Sequence, residues 1–125
     1  MRRVAIIDRN PDHRVLFRVL LEGRYRCSEY DNGEDAIVGM RTRPPDVILM
    51  DLSLTSPDSA GTLQQIRGDP RLSALPVVAV APMAGDAVRE RVLSAGYDEF
   101  FKKPILDESV LHEVLQRAMD PARVT

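Results

Sequence analysis

The stretch that decides the fold is Pro45-Asp46-Val47-Ile48-Leu49-Met50-Asp51-Leu52. Four apolar residues run without alternation and stop at a carboxylate. A strand covered on both faces reads this way, because neither face meets water. Two further runs share the character: Val4-Ala5-Ile6-Ile7 before Asp8, and Val77-Val78-Ala79-Val80 before Ala81. Arg24 to Glu29 alternates more and carries two arginines, which predicts an edge strand, and Glu99-Phe100-Phe101 supplies a short fifth.

Between these runs the apolar spacing turns helical. Val15, Leu16, Val19 and Leu20 form one stripe, and Val110, Leu111, Val114 and Leu115 another. Weaker stripes lie around Ala36-Ile37-Met40, Leu63-Ile66 and Val88-Val92. Asn10 followed by Pro11 predicts an N-cap with proline in the first helical position, and Leu106-Asp107 with Leu111 a capped start with a hydrophobic staple. Gly23, Gly68 and Gly96 mark stops. Strand and helix thus alternate five times, without internal repeats or long linkers. Right-handed crossovers turn that order into a doubly wound α/β sandwich with a parallel sheet, whose ligands sit at the carboxyl ends of the strands.

Composition agrees with one domain and excludes several roles. The 125 residues are enough for a single core and too few for two, so no separate output or catalytic domain is expected. No apolar run approaches the ~18 residues of a membrane span, so a soluble protein is expected. With 17 basic and 19 acidic residues the net charge is -2, which excludes a strongly basic surface for nucleic acid or membrane. Met1-Arg2-Arg3 is basic like a secretion signal, but Asp8 interrupts the apolar stretch after Ile7, and the cytoplasm is the expected location. Cys27, the single cysteine, reads as a small buried hydrophobe. Only two of the 17 basic residues are lysines, Lys102 and Lys103, and they stand together before Pro104. A chain that otherwise uses arginine has placed a compact, mobile point charge here.

The strand ends therefore bring Asp8, Asp51, Ala81 and the Lys102-Lys103-Pro104 segment to one edge of the sheet. Singly, an acid after a strand is ordinarily a helix cap or a solvated turn. Together, two carboxylates and an ammonium make a place for a metal ion, a phosphoryl group or both, because carboxylates crowd without neutralising only when cations share the site.

These residues carry a resemblance. Ile6-Ile7-Asp8 followed by Pro11, the stretch Pro45 to Leu52, Asp58 seven residues after Asp51, Leu75-Pro76-Val77-Val78-Ala79, and Ala95-Gly96 followed by Phe100 and Lys103-Pro104 resemble, in this order and spacing, the receiver domain of two-component response regulators. The resemblance covers residues 2 to about 119, so residues 1–125 read as a single receiver domain with a short C-terminal tail. It implies a flavodoxin-like fold, a five-stranded parallel sheet in the order 2-1-3-4-5. It also implies that Asp51 is the phosphoacceptor, that Lys103 contacts the phosphoryl oxygens, and that Lys103-Pro104 is a cis peptide bond. Asp8, Asp51 and the Ser53 carbonyl would be the magnesium ligands. The partners implied are a sensor histidine kinase or phosphotransfer protein and a downstream protein target, with a homodimer as a further option; no enzymatic activity is expected beyond phosphorylation and dephosphorylation of Asp51 itself.

Two positions depart from the family pattern. The second acid of the pair, ordinarily a magnesium ligand, is Arg9; the Ser or Thr at the end of the fourth strand is Ala81. An ordinary receiver pocket, with three carboxylates and one lysine, carries about -2 before a divalent cation binds, whereas Asp8, Asp51, Arg9 and Lys103 sum to about zero. Exchanging a carboxylate for a guanidinium works against metal binding by several kcal/mol at contact distance for an effective dielectric of about 20. Arg9 either pairs with Asp51 or Asp8 in place of the metal or swings out to solvent on its long stem. Ala81 removes the hydroxyl that reads the phosphoryl, Pro82 stiffens the loop beside it, and Phe100 stands at the aromatic switch position without a phenol.

Two readings follow: a receiver phosphorylated on Asp51 through an altered metal site, and a pseudo-receiver that binds protein partners without phosphate. A flavodoxin-type cofactor site would need a Ser/Thr/Gly-rich loop where Arg9-Asn10-Pro11-Asp12 stands, and a haloacid-dehalogenase phosphatase would need Asp-x-Asp where Asp8-Arg9-Asn10 stands. His13 and His112 read as surface residues, and Asp12 and Asp58 as helix-start and loop acids.

Overall fold

Ten elements alternate along the computed structural model, in which residues 1–52, 59–81, 86–103 and 108–120 are described, Asp86 by its backbone alone. They are β1 (Arg2–Ile7), α1 (Pro11–Leu21), β2 (Tyr25–Tyr30), α2 (Gly33–Thr42), β3 (Val47–Asp51), α3 (Ser59–Gly68), β4 (Val77–Ala81), α4 (Asp86–Ser94), β5 (Glu99–Lys102) and α5 (Glu108–Met119). Every strand pair is parallel, and the order is β2-β1-β3-β4-β5. The unbroken apolar runs became the interior strands: β3 and β4 are buried at every residue and β1 from Val4 onward. β2, with its arginines, lies at the edge and is mostly half-buried.

The two-residue period of the strands splits the core into two layers. Val4, Ile6, Val47, Leu49, Val78, Val80 and Phe101 face α1 and α5; Ala5, Ile7, Ile48, Met50, Val77, Ala79, Ala81 and Phe100 face α2, α3 and α4. Each fully buried Leu, Ile or Val contributes about 1.5–3 kcal/mol relative to exposure. The helical stripes of α2, α3 and α4 pack as expected through Ala36, Ile37, Met40, Leu63, Ile66 and Val92. Gly23 at φ 89° and Gly96 at φ 114° take up the left-handed conformation that ends α1 and α4, as their stop positions required.

One stripe faces the other way. Phe17 and Leu21 are buried on α1, whereas Val15, Leu16 and Val19 are 45%, 43% and 58% exposed. At about 100° per residue, Val15 and Val19 lie about 160° from Phe17, so one helix cannot bury both sets. Phe17 and Leu21 turn inward, with Leu20 half-buried beside them. The Asn10 cap, which accepts from Asp12 N, and Pro11 in the first turn stand as expected. On α5, Leu111, Val114, Leu115 and Ala118 are buried while Val110 turns outward. The cap and staple expected at Leu106-Asp107 lie outside the described residues.

Arginine closes the structure away from the carboxyl ends of the strands. Arg67, near the end of α3, donates to the carbonyls of Ser73, Leu75 and Gly96 and to Asp98 Oδ2, which also accepts from Val77 N at 2.8 Å. Glu99, buried at the start of β5, receives Arg117 Nε at 3.1 Å and Nη2 at 2.9 Å. No helix among the described residues is long and apolar enough to cross a membrane.

Candidate functional site

Asp8 follows β1, Asp51 is the last residue of β3, and Lys103 follows β5, each carried to the same edge by a parallel neighbour. Backbone bonds hold them in register: Asp8 N donates to Tyr30 O at 3.0 Å and Lys103 N to Ala81 O at 2.8 Å. Both carboxylates are buried, at 3% and 2% exposure. A buried carboxylate requires charge and donors around it. Lys103 Nζ supplies them, 3.3 Å from Asp8 Oδ2 and 3.1 Å from Asp51 Oδ1. Asp8 Oδ1 also accepts from Asn10 N at 2.9 Å, and Arg14 Nη1 donates to the Asp8 carbonyl at 2.6 Å. The convergence read from the strand ends is thus present for Asp8, Asp51 and Lys103.

Arg9 is exposed and lines the opening beside Asp8 and Asp51, together with Asn32, Gly33, Ser59 and Thr62. The cation seated between the two carboxylates is the ammonium of Lys103. Ala81 ends β4 as a buried methyl in the same apolar layer as Phe100, which is itself a packed core ring. Ser53, Asp58, Pro82 and the Lys103-Pro104 bond lie outside the described residues. Cys27 is half-buried against the α1/α5 layer, and burial, with Glu29 adding, pushes its thiol up.

Both histidines differ from their surface reading. His112 is buried and stacks on Tyr25, with ring centroids 6.0 Å apart and planes at 11°. His13 is half-buried at the pocket, its Nδ1 2.7 Å from Lys103 Nζ and 3.4 Å from Asp8 Oδ2. The available signal was Phe17: a residue four positions earlier shares its inward face.

A divalent magnesium ion needs hard oxygen ligands and net negative charge. Here an ammonium already engages both carboxylates, a guanidinium stands where a second acid would help, and the described residues contain no group of three His, Cys, Asp or Glu side chains able to hold a metal. Among the described residues, this donor set does not fit the ion. What it does provide is a buried carboxylate at a strand end, with an ammonium beside it.

The response regulator receiver domain family matches residues 4–116. The signal transduction histidine-protein kinase BarA of Escherichia coli (strain K12) is 33% identical over 115 residues, 91% of this chain and 12% of BarA. The chain therefore spans only 12–13% of the length of the kinases it matches. The polar-differentiation response regulator DivK of Brucella anthropi is 32% identical over 103 residues, 82% of this chain and 84% of DivK. Among solved structures, a sensor protein from Polaromonas sp. JS666 is 28% identical with a TM-score of 0.81, covering 95% of this chain and 96% of that one. The receiver domain of the sensor histidine kinase PA1611 from Pseudomonas aeruginosa PAO1, which has magnesium coordinated in its active-site cleft, is 25% identical with a TM-score of 0.81, covering 94% and 97%. With the sheet order, the strand-end carboxylates and this match over most of its length, the chain belongs to the response regulator receiver domain family.

Proposed function

We propose that this receiver accepts a phosphoryl group on Asp51 from a phosphohistidine of a sensor kinase or phosphotransfer protein. In this reading Lys103, with Arg9 at the rim, balances the phosphoryl charge that a magnesium ion shares in ordinary receivers. The observation that carries it is the Lys103 ammonium 3.1 Å from the buried Asp51 carboxylate. An Asp51 oxygen attacks phosphorus, the donor P–N bond breaks with its electron pair passing to the ring nitrogen, and an acyl phosphate forms. Water later attacks the phosphorus, the acyl phosphate P–O bond breaks, and phosphate leaves the restored carboxylate. Receivers catalyse nothing beyond these steps on themselves. The developing charge on the phosphoryl oxygens meets a preplaced cation, the arrangement that lowers such barriers most.

Val15, Leu16 and Val19 give α1 an exposed apolar face on the helix that begins beside Asp8, which supports docking of a protein partner there. A second reading has its own support. Arg9 at the rim and the Ala81 methyl at the end of β4 favour a pseudo-receiver that binds its protein target in one conformation without phosphate.

Incubation with phosphoramidate followed by intact-mass measurement separates the two. The phosphoacceptor reading expects an added mass of about 80 Da, abolished in Asp51→Asn and only weakly dependent on magnesium. An unchanged mass selects the pseudo-receiver.

A further inference from the structure

His13 is the third residue of α1, in the first turn behind the Asn10 cap and Pro11, and its Nε2 lies 3.4 Å from Asn10 Nδ2. Its Nδ1 lies 2.7 Å from Lys103 Nζ. An ammonium has three donors and no lone pair, so the imidazole nitrogen at that distance must present its own lone pair. That puts the imidazole proton on Nε2; the Asn10 amide, whose oxygen already accepts from Asp12 N, then touches Nε2 without a hydrogen bond, and Asp8 Oδ2, 3.4 Å from Nδ1, is joined to it through the ammonium. The three N–H groups of Lys103 then have three acceptors: Asp8 Oδ2, Asp51 Oδ1 and His13 Nδ1.

The chemistry of the third acceptor matters. Asp8, Asp51, Arg9 and Lys103 already balance. A third carboxylate would make the site negative and repel a phosphoryl group; a neutral imidazole takes the remaining N–H and leaves the charge unchanged. We propose that His13 is a positioning residue for Lys103 in phosphoryl transfer, an inference that rests on Asp51 being the phosphoacceptor. When phosphorus bonds to Asp51, Lys103 exchanges its contact with Asp51 Oδ1 for a phosphoryl oxygen. His13 and Asp8 keep the other two N–H groups engaged, so the flexible four-carbon stem stays ordered through the exchange.

The test uses the whole chain and two substitutions. His13→Leu removes the acceptor; His13→Asn puts Oδ1 where Nδ1 stood. Long-range ¹H–¹⁵N spectra of the wild type at about pH 8, above the ordinary imidazole range, are expected to show an unprotonated Nδ1, and Lys103→Met to change that signal. In phosphoramidate labelling, His13→Leu is expected to slow the mass gain about tenfold, the effect of losing one charge-assisted hydrogen bond, with His13→Asn recovering most of the rate. A protonated Nδ1 overturns the proposal. So does a His13→Leu rate equal to a wild type that gains the mass, or an Asn variant as slow as the Leu variant, and in each of these cases the Asp51 reading stands. A wild type that gains no mass overturns the Asp51 reading and, with it, the role given to His13.

Discussion

At the amino-terminal ends of β4 and β5, Arg67 spreads its fork over three carbonyls and Asp98 Oδ2 at 2.7 to 3.0 Å; at the carboxyl ends, Lys103 brings one ammonium to Asp8, His13 and Asp51. Both are single cations serving several acceptors. Their surroundings differ. The partners of Arg67 are mostly backbone carbonyls whose positions the loops fix, and a planar fork with five donors meets several of them at once with little loss per bond. The partners of Lys103 are side chains, one of which changes its covalent state under the proposed function, and a point charge on a flexible stem follows such a change. An arginine-rich chain that retains lysine at one pocket has separated a clamp from a movable charge.

Exchanging the two chemistries tests this difference most severely. Lys103→Arg is expected to cut the phosphoramidate labelling rate about 100-fold while the far-ultraviolet circular dichroism stays native, because the fork cannot fill the same space between two buried carboxylates. Retained labelling would mean that charge alone suffices. On the proposed function, Asp51→Asn is expected to abolish labelling outright.

Arg67→Ala is expected to act in the opposite sense. It removes the side-chain donor of three carbonyls and leaves Asp98 with Val77 N but without its guanidinium, lowering unfolding free energy by about 2–4 kcal/mol, measured by urea titration, with labelling per folded molecule unchanged. A loss of labelling would couple the two ends.

A smaller effect comes from the rim. Arg9→Asp restores a carboxylate where the family ordinarily has one and is expected to raise magnesium affinity about ten- to a hundredfold by calorimetry, the range set by an exposed rather than a buried charge change. Unchanged affinity would place the obstacle at Lys103 instead.

The smallest concerns Asp69, an arginine contact outside both regions. Arg41 Nε, 2.6 Å away, holds its carboxyl below the usual carboxylate value. A depressed folded pKa adds stability above the unfolded value, which fades as pH falls through the folded one. Arg41→Gln is therefore expected to lose slightly against wild type at neutral pH, with the gap closing in acid, as read from thermal unfolding across the carboxylate range.

Much of the site was legible because strand ends are legible. An apolar run that stops at Asp8 or Asp51 places its carboxylate at the sheet edge whatever the helices do, and Lys103 follows from the fifth run. His13 was not legible in the same way. Its place depended on which of two apolar sets α1 would bury, and adjacent valines and leucines competed with a single Phe17. His112 lay hidden for a related reason: it flanks the buried face of α5, where a flat ring fits against Tyr25.

The sequence by itself determined the alternation of strands and helices, the parallel sheet, and the meeting of two acids and a lysine at its edge, since these depend on periods of two and 3.6 residues and on the handedness of crossovers. Tertiary structure decided the rotation of α1 about its axis, and with it His13 as the third acceptor of Lys103 and the seating of lysine rather than Arg9 between the carboxylates. Those outcomes depend on which side chain fills a shared volume, and that competition is settled only when all the layers pack together.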